Sequence, residues 1–171
     1  LITVRDVQSY AIATPAPLCA MWRGYTVLSA PPPTGGVPVL QMLQMAEAAG
    51  VTRAGGFTEQ PDAVATMAGI IRTATADAYW HGDPAVSNTS HLAVVDADGN
   101  AVSATTTVGV LFGSGVYTSG FFLNSSGANL TARTRGVNRF TNSTIAPTIL
   151  LDGSRVRLVV GAAGSQYIQP A

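Results

Sequence analysis

The residues best suited to chemistry are hydroxyl side chains that cluster between positions 88 and 107. Thr89 opens a predicted strand, and a tight turn further along the chain brings the threonines at 105–107 back beside it. A hydroxyl attacks a carbonyl carbon when a neighbouring group takes its proton, so a hydroxyl at the start of a strand beside a cluster of hydroxyls is the feature to weigh. No Ser-His-Asp set is evident in the sequence. Periodicity alone favours a plainer interpretation, a threonine-rich, half-buried hairpin.

A β-hairpin is the element that positions these hydroxyls. Residues 92–95 are apolar and mostly β-branched, residues 96–100 contain the Asp, Gly and Asn that tight turns need, and residues 101–110 form a second strand. Because side chains alternate along a strand, Thr89 and His91 share one face. This alternation places the His91 side chain on the same side of the hairpin as the Thr89 side chain.

The sequence of this hairpin resembles that of a known family. The matching residues are Asn88, Thr89, Ser90, His91, an apolar strand, and then Asp96, Asp98, Gly99, Asn100, Ala101 and Val102. They resemble the start of the small subunit in γ-glutamyltransferases (glutathione hydrolases), which are N-terminal-nucleophile hydrolases. The resemblance implies that the precursor cuts itself between Asn88 and Thr89. Thr89 then becomes the nucleophile, with its freed α-amine as the base, and Thr107 hydrogen-bonds it.

Other segments match the same family in the same order. An Arg-Gly-Tyr at 23–25 and a proline–glycine motif at 31–36 resemble a large-subunit signature, and Gly-Asp-Pro at 82–84 resembles the end of its helix. The resemblance therefore implies two segments within one structural domain. Residues 1–88 correspond to the end of a large subunit, and residues 89–171 correspond to the first part of a small subunit.

The fold class that the resemblance implies is α+β. Specifically, it is an αββα sandwich of the N-terminal-nucleophile hydrolase type, incomplete at both ends. The hairpin is expected in a central, mostly antiparallel sheet, with residues 92–95 buried.

The residues themselves predict the other elements. A helix is predicted over 37–49, with a narrow polar stripe, and a second helix over 61–79. Residues 145–160 form a predicted strand–turn–strand, and residues 161–165 open a further helix. Prolines 15 and 17 argue against a helix near the start of the chain.

An oxyanion site is also implied by the resemblance. Gly164 and Ser165 occupy the glycine-rich turn whose two backbone N–H groups stabilise the oxyanion in the family. Ser165 stands where the family has a second Gly. A backbone donor survives that replacement provided that the required φ and ψ are allowed for Ser.

Substrate contacts follow from the same alignment of motifs. The positions that contact a γ-glutamyl group in the family correspond to Gly109, Ser126, Asn129, Ser143 and Thr144. The first three replace the family's Asn, Gln and Asp, whereas the last two keep the family's hydroxyls. Asn129 is neutral and cannot pair with an ammonium group, so an acyl donor without an α-amine fits this site as well.

The implied function is cleavage of a γ-glutamyl, glutathione-type amide, with transfer of the acyl group to water or to an amino acid or peptide. One alternative is a glutaryl-type, cephalosporin-like acylase of the same fold, which the neutral Asn129 favours. Another is a non-catalytic or immature member of the family. In either enzyme the large and small subunits come from one precursor.

Composition limits the other functions that the chain could have. The 171 residues are 47% apolar and 11% charged with formal net charge zero, which gives no electrostatic case for nucleic acid. No apolar run is long enough to span a membrane. The single cysteine, Cys19, excludes an internal disulfide and is expected to be a packed thiol. His81 and His91 are too few and too far apart to suggest a metal, and no cofactor is expected.

Overall fold

The computed structural model describes residues 2–51, 60–76, 88–126 and 141–171. The helices span Val4–Ser9 (α1), Gly36–Ala48 (α2) and Pro61–Ala76 (α3). The strands span Leu18–Trp22 (β1), Tyr25–Ser29 (β2), Asn88–Val95 (β3), Ala101–Gly109 (β4), Tyr117–Thr118 (β5), Phe121–Phe122 (β6), Thr148–Asp152 (β7) and Arg155–Val160 (β8). The α+β class is confirmed.

A four-stranded antiparallel sheet, in the order β1-β2-β7-β8, forms the centre of the structure. Its middle pair joins strands that are far apart in sequence, with Thr26 opposite Leu151 and Ser29 opposite Thr148. The hydroxyls of Ser29 and Thr148 are buried and lie 3.0 Å apart, so they share a hydrogen bond inside the sheet. Strands from before and after Asn88 therefore form one sheet.

Helix α2 covers this sheet and connects it to α3. Leu40 packs with Val27 and Leu150 of the sheet. On the side facing α3, Met42 and Ala46 of α2 pack with Ile70 and Ala74 of α3. The predicted polar stripe is confirmed, because Gln41, Gln44 and Glu47 are exposed. Pro38 lies in the first turn of α2, where its missing N–H costs nothing.

The hairpin of β3 and β4 forms a separate two-stranded sheet. Its turn is held by the Asp96 carboxylate, which accepts hydrogen bonds from the backbone N–H groups of Asp98 and Asn100 and from the Asn100 side chain. The hydrogen bond from the Asn100 side chain, with help from the backbone donors, lowers the pKa of Asp96. Gly99 adopts φ +86°, the left-handed conformation that this turn requires.

The expected burial of residues 92–95 is wrong for this chain. Leu92, Val94 and Val95 are 50%, 53% and 53% exposed. Within the part of the chain that the structure describes, β3 pairs with β4 alone. The face of the hairpin with His91 packs toward the end of β8, where the Ser103 hydroxyl of β4 donates a hydrogen bond to the Val160 carbonyl. The face with Leu92 and Val94 is exposed.

Three smaller expectations are corrected. A short helix, α1, begins near the amino end because Thr3 and Asp6 form a capping box, and Pro15 lies beyond its end. Cys19 is exposed, not packed, because it lies on the edge strand β1 where alternate side chains point outward. The helix expected from 161–165 is only a 3₁₀ turn, Ser165–Tyr167. No described helix has both the length and the apolar character that a membrane crossing needs.

Candidate functional site

Thr89 lies at the start of β3, half-buried and opposite Thr107 of β4. The strand register shifts between Asn88 and Thr89, so that Asn88 lies opposite Gly109. This irregularity is a β-bulge, which redirects side chains at the end of a strand. The structure therefore brings together the two threonines that the sequence analysis paired, at the point where the ladder is distorted.

The Thr107 hydroxyl both accepts and donates a hydrogen bond. It accepts a hydrogen bond from the Gly109 backbone N–H at 2.9 Å and donates to the Asn88 carbonyl oxygen at 2.9 Å. A hydroxyl has a single proton, and here that proton is directed at the Asn88 carbonyl. The carbonyl before Thr89 is therefore polarised by a side chain from the neighbouring strand.

Asn124 connects Ser126 to strand β4 through two hydrogen bonds. The Asn124 amide donates to the Thr107 carbonyl at 2.8 Å, and its oxygen accepts the Ser126 N–H at 2.5 Å. Asn124 was not among the predicted site residues, although it lies in a segment that matches the family motif. Asn129 lies outside the described residues.

Gly109 has no room for a side chain. Its φ is +84°, and a Cβ built there would collide with the Ser125 hydroxyl oxygen. That hydroxyl accepts the Val110 N–H at 3.1 Å and donates to the Val108 carbonyl at 3.2 Å. Ser125, which the sequence analysis missed, therefore fills the space that a longer residue at position 109 would need.

The turn at Gly164 and Ser165 has an unusual backbone. Gly164 has φ +134° and Ser165 has φ +56°, a left-handed value that is uncommon for a residue other than Gly. Thr144, which is buried, donates its hydroxyl proton to the Ser165 carbonyl at 2.7 Å. Among the described residues, the N–H groups of Gly164 and Ser165 donate to no protein acceptor. Two such N–H groups in one turn form a candidate oxyanion site.

The proline–glycine motif holds the segment that contains Ser143 and Thr144. The Ser143 N–H donates to the Pro33 carbonyl at 2.9 Å, and the Gly35 N–H donates to the Ile145 carbonyl at 2.9 Å. A Cβ at Gly35 would lie 2.6 Å from the Thr144 carbonyl oxygen, so the close approach requires Gly. The motif was recognised in the sequence, but its contact with residues 143–145 was not predictable from it.

The ring of His91, on β3, contacts β4 on one side and the residue that follows β8 on the other. Its Nδ1 lies 2.8 Å from the Thr105 hydroxyl oxygen, and its ring lies against the backbone of Gly161. The other ring nitrogen, Nε2, is buried and has no hydrogen-bond partner among the described residues. In the same described part of the chain, no group of three or more His, Cys, Asp or Glu side chains could hold a metal ion.

This arrangement defines a class of protein once it is compared with solved structures. A cephalosporin acylase from Bacillus halodurans superposes with a TM-score of 0.78 at 20% identity, over 99% of this chain and 38% of the acylase chain. The fold is therefore that of an N-terminal-nucleophile hydrolase.

The family follows from the sequence comparisons. The family model described as "Gamma-glutamyltranspeptidase" matches residues 1–88 and 83–171, and the chain belongs to this family. The capsule biosynthesis protein CapD proenzyme of Bacillus anthracis is 30% identical over 204 residues, and the glutathione hydrolase proenzyme of Escherichia coli K12 is 28% identical over 229 residues. Each match covers 98% of this chain, which spans 38% and 39% of the two relatives.

Proposed function

We propose that this chain is part of an N-terminal-threonine amidohydrolase or acyltransferase that matures by cutting itself between Asn88 and Thr89. The observation that carries the proposal is the hydrogen bond from Thr107 to the Asn88 carbonyl, directly opposite Thr89. The names of both relatives describe proenzymes, which agrees with a maturation step. Residues 1–88 and 89–171 are then parts of the two subunits.

Maturation proceeds by an acyl shift at this bond. The Thr89 Oγ attacks the Asn88 carbonyl carbon, and the Thr107 hydroxyl stabilises the negative charge that develops on the carbonyl oxygen. The C–N bond breaks, the hydroxyl proton passes to the Thr89 nitrogen, and an ester remains. Water then hydrolyses the ester, leaving a carboxylate on Asn88 and a free hydroxyl and α-amine on Thr89.

Turnover uses the same hydroxyl with a new base. The freed α-amine of Thr89 accepts the hydroxyl proton as Oγ attacks a substrate amide. The N–H groups of Gly164 and Ser165 stabilise the oxyanion, and the leaving amine takes the proton. Water or an amino-acid acceptor then releases the acyl group from Thr89. Each backbone donor of this kind is worth about a hundredfold to a thousandfold in rate.

A γ-glutamyl amide is the proposed substrate, in keeping with the family. Ser126, Asn129, Ser143 and Thr144 are the proposed contacts to its polar end, together with the backbone at Gly109. Thr144 has its proton directed at Ser165, so it shapes the turn and can only accept from a ligand. The Ser143 hydroxyl accepts the Ile145 N–H at 3.3 Å and keeps its proton for a substrate carboxylate.

A glutaryl-type acylase is the second candidate, and one observation favours it. The Ser125 hydroxyl occupies the space beside Gly109, so the Asn found there in γ-glutamyltransferases has no counterpart and no room. Together with the neutral Asn129, this weakens recognition of an α-amine.

Two measurements on the complete purified protein test the proposal. Intact mass spectrometry is expected to show a fragment that begins at Thr89. Hydrolysis of γ-glutamyl p-nitroanilide and of glutaryl p-nitroanilide then separates the two candidates. A protein that stays uncut and hydrolyses neither anilide would be a non-catalytic member of the family, and the proposed function would be wrong.

A further inference from the structure

The imidazole of His91 lies between the hairpin and Gly161, which comes three residues before Gly164 in the chain. His91 is two residues after Thr89 on the same face of β3, and its Nδ1 is 2.8 Å from the Thr105 hydroxyl on β4. On its other side the ring lies against Gly161, the first residue after β8. The ring therefore reaches from the hairpin to the backbone of Gly161, in the segment that leads to Gly164.

Gly161 is glycine because of this ring. A Cβ built at position 161 would overlap His91 Nδ1 and Cε1 and would lie 3.0 Å from Cγ. Unlike Gly164, Gly161 does not have the left-handed φ that disfavours other residues. Space, and not backbone conformation, excludes a side chain at 161.

The other ring nitrogen of His91, Nε2, is buried and has no hydrogen-bond partner among the described residues. A second tie lies beside it, where the Ser103 hydroxyl donates to the Val160 carbonyl at 3.1 Å. The hairpin thus contacts residues 160 and 161, and Thr144 donates a hydrogen bond to the Ser165 carbonyl four residues later.

We infer that His91 is a positioning residue that sets the distance between the Thr89 hydroxyl and the oxyanion donors of Gly164 and Ser165. The inference rests on the proposed function. It applies to substrate turnover and not to self-cleavage, because the Asn88 carbonyl is held by Thr107 and does not need the turn. His91 acts through the backbone of Gly161 and takes no proton from Thr89.

Gly161→Ala is the direct test. The added methyl group displaces either the ring or the turn, and a misplacement of about 1 Å in an active site can cost about a hundredfold in rate. We expect kcat to fall by roughly tenfold to a hundredfold on whichever anilide the wild type hydrolyses. KM and the rate of self-cleavage should change little. Gly69→Ala is the control, since a Cβ at Gly69 in α3 meets no atom within 4 Å.

A double variant separates positioning from a general structural defect. His91→Ala removes every ring atom that a Cβ at position 161 would meet, together with the contact to Thr105. We expect His91→Ala to lower kcat as well. Adding Gly161→Ala to it should cause no further loss, because the clash is gone and the two effects are coupled.

Three outcomes would overturn the inference. The first is a kcat of Gly161→Ala equal to that of the wild type. The second is that Gly161→Ala lowers kcat by the same factor in the wild type and in the His91 variant. The third is that Gly161→Ala slows self-cleavage as much as it lowers kcat. If the wild type cuts itself and hydrolyses an anilide, and Gly161→Ala does both at the wild-type rate, this inference alone is wrong. A wild type that does neither overturns the proposed function and the role of His91 with it.

Discussion

The hydroxyl of Thr107 donates a 2.9 Å hydrogen bond to the carbonyl oxygen of Asn88. The Gly109 N–H donates to the same hydroxyl, so the direction of the Thr107 proton is fixed before any reaction begins. The β-bulge between Asn88 and Thr89 makes this geometry possible, since it places Gly109 opposite Asn88 and Thr107 opposite Thr89. A preorganised donor at a carbonyl costs no reorganisation when charge develops there.

Replacing Thr107 by Val should therefore slow self-cleavage. The change keeps the shape of the side chain and removes the donor to Asn88, with an expected loss of about a hundredfold to a thousandfold in rate. A time course of intact mass after purification measures it. Thr107→Ser should mature at close to the normal rate, and so should Thr106→Val, which alters an exposed neighbour on the opposite face. Normal maturation of Thr107→Val would contradict the assignment of this hydrogen bond to the maturation step.

Replacing Thr89 by Ala should abolish self-cleavage and turnover together, because one hydroxyl serves both steps. Thr89→Ser retains a hydroxyl and should keep part of each activity. Gel analysis of fragments and an anilide assay on the same preparations provide the measurement. Two fragments separated at Asn88–Thr89 in the Ala variant would show that another agent cuts the chain.

Asn129→Asp should shift preference toward γ-glutamyl donors. A carboxylate that pairs with an ammonium contributes about 1.5–3 kcal/mol, which is roughly tenfold to a hundredfold in affinity. A glutaryl donor lacks the ammonium and should gain nothing. The measurement is kcat/KM for both anilides, with and without the change, in matured enzyme. An unchanged ratio would mean that residue 129 does not face the acyl group.

Ser125 sets a limit on that gain. Its hydroxyl fills the space beside Gly109, so one polar contact typical of the family stays absent in the Asn129→Asp variant. We expect the increase for the γ-glutamyl donor to remain at the lower end of the range.

The hairpin and its threonine pair were predictable because they depend on local rules. Alternation of side chains and the Asp96–Gly99 turn fix the register to within one residue, and this is enough to place Thr107 near Thr89. The bulge that decides what the Thr107 hydroxyl contacts is a shift of a single residue. Pattern alone does not determine such a shift.

Contacts between distant segments were not predictable. The ring of His91 meets Gly161, and residues 143–145 bond to the proline–glycine motif, only because the sheet brings these segments together. The burial of Leu92 was expected wrongly because an apolar strand carries no signal for which of its faces is covered. Helix α1 does have a local signal, the Thr3–Asp6 capping box, and the prolines that argue against a helix lie beyond its end at Ser9.

The stability of the hairpin turn should depend on pH through Asp96. Its pKa is lowered from an ordinary value of 3.8 by hydrogen bonds that exist only in the folded state. A lowered folded pKa means that the carboxylate stabilises the fold above the unfolded pKa, and that this contribution disappears as pH falls through the folded pKa. Asp96→Asn should therefore reduce the urea midpoint at neutral pH and should have less effect under strongly acidic conditions.

Asp98→Asn is the matched control for this prediction. It removes a carboxylate from the same turn, and among the described contacts that side chain makes no hydrogen bond. An equal effect of both substitutions across the pH range would mean that net charge, and not the Asp96 hydrogen bonds, governs the turn.

Strand β2 lies before Asn88 in the chain and β7 lies after it, and their pairing forms the middle of the four-stranded sheet. Breaking the Asn88–Thr89 bond removes none of those hydrogen bonds. It does change the molecularity of folding, because an unfolded precursor regains its sheet within one polypeptide, whereas the cut protein must reunite two. The reaction becomes second order, and the denaturation midpoint of the mature protein should rise with concentration, as it does for an obligate dimer.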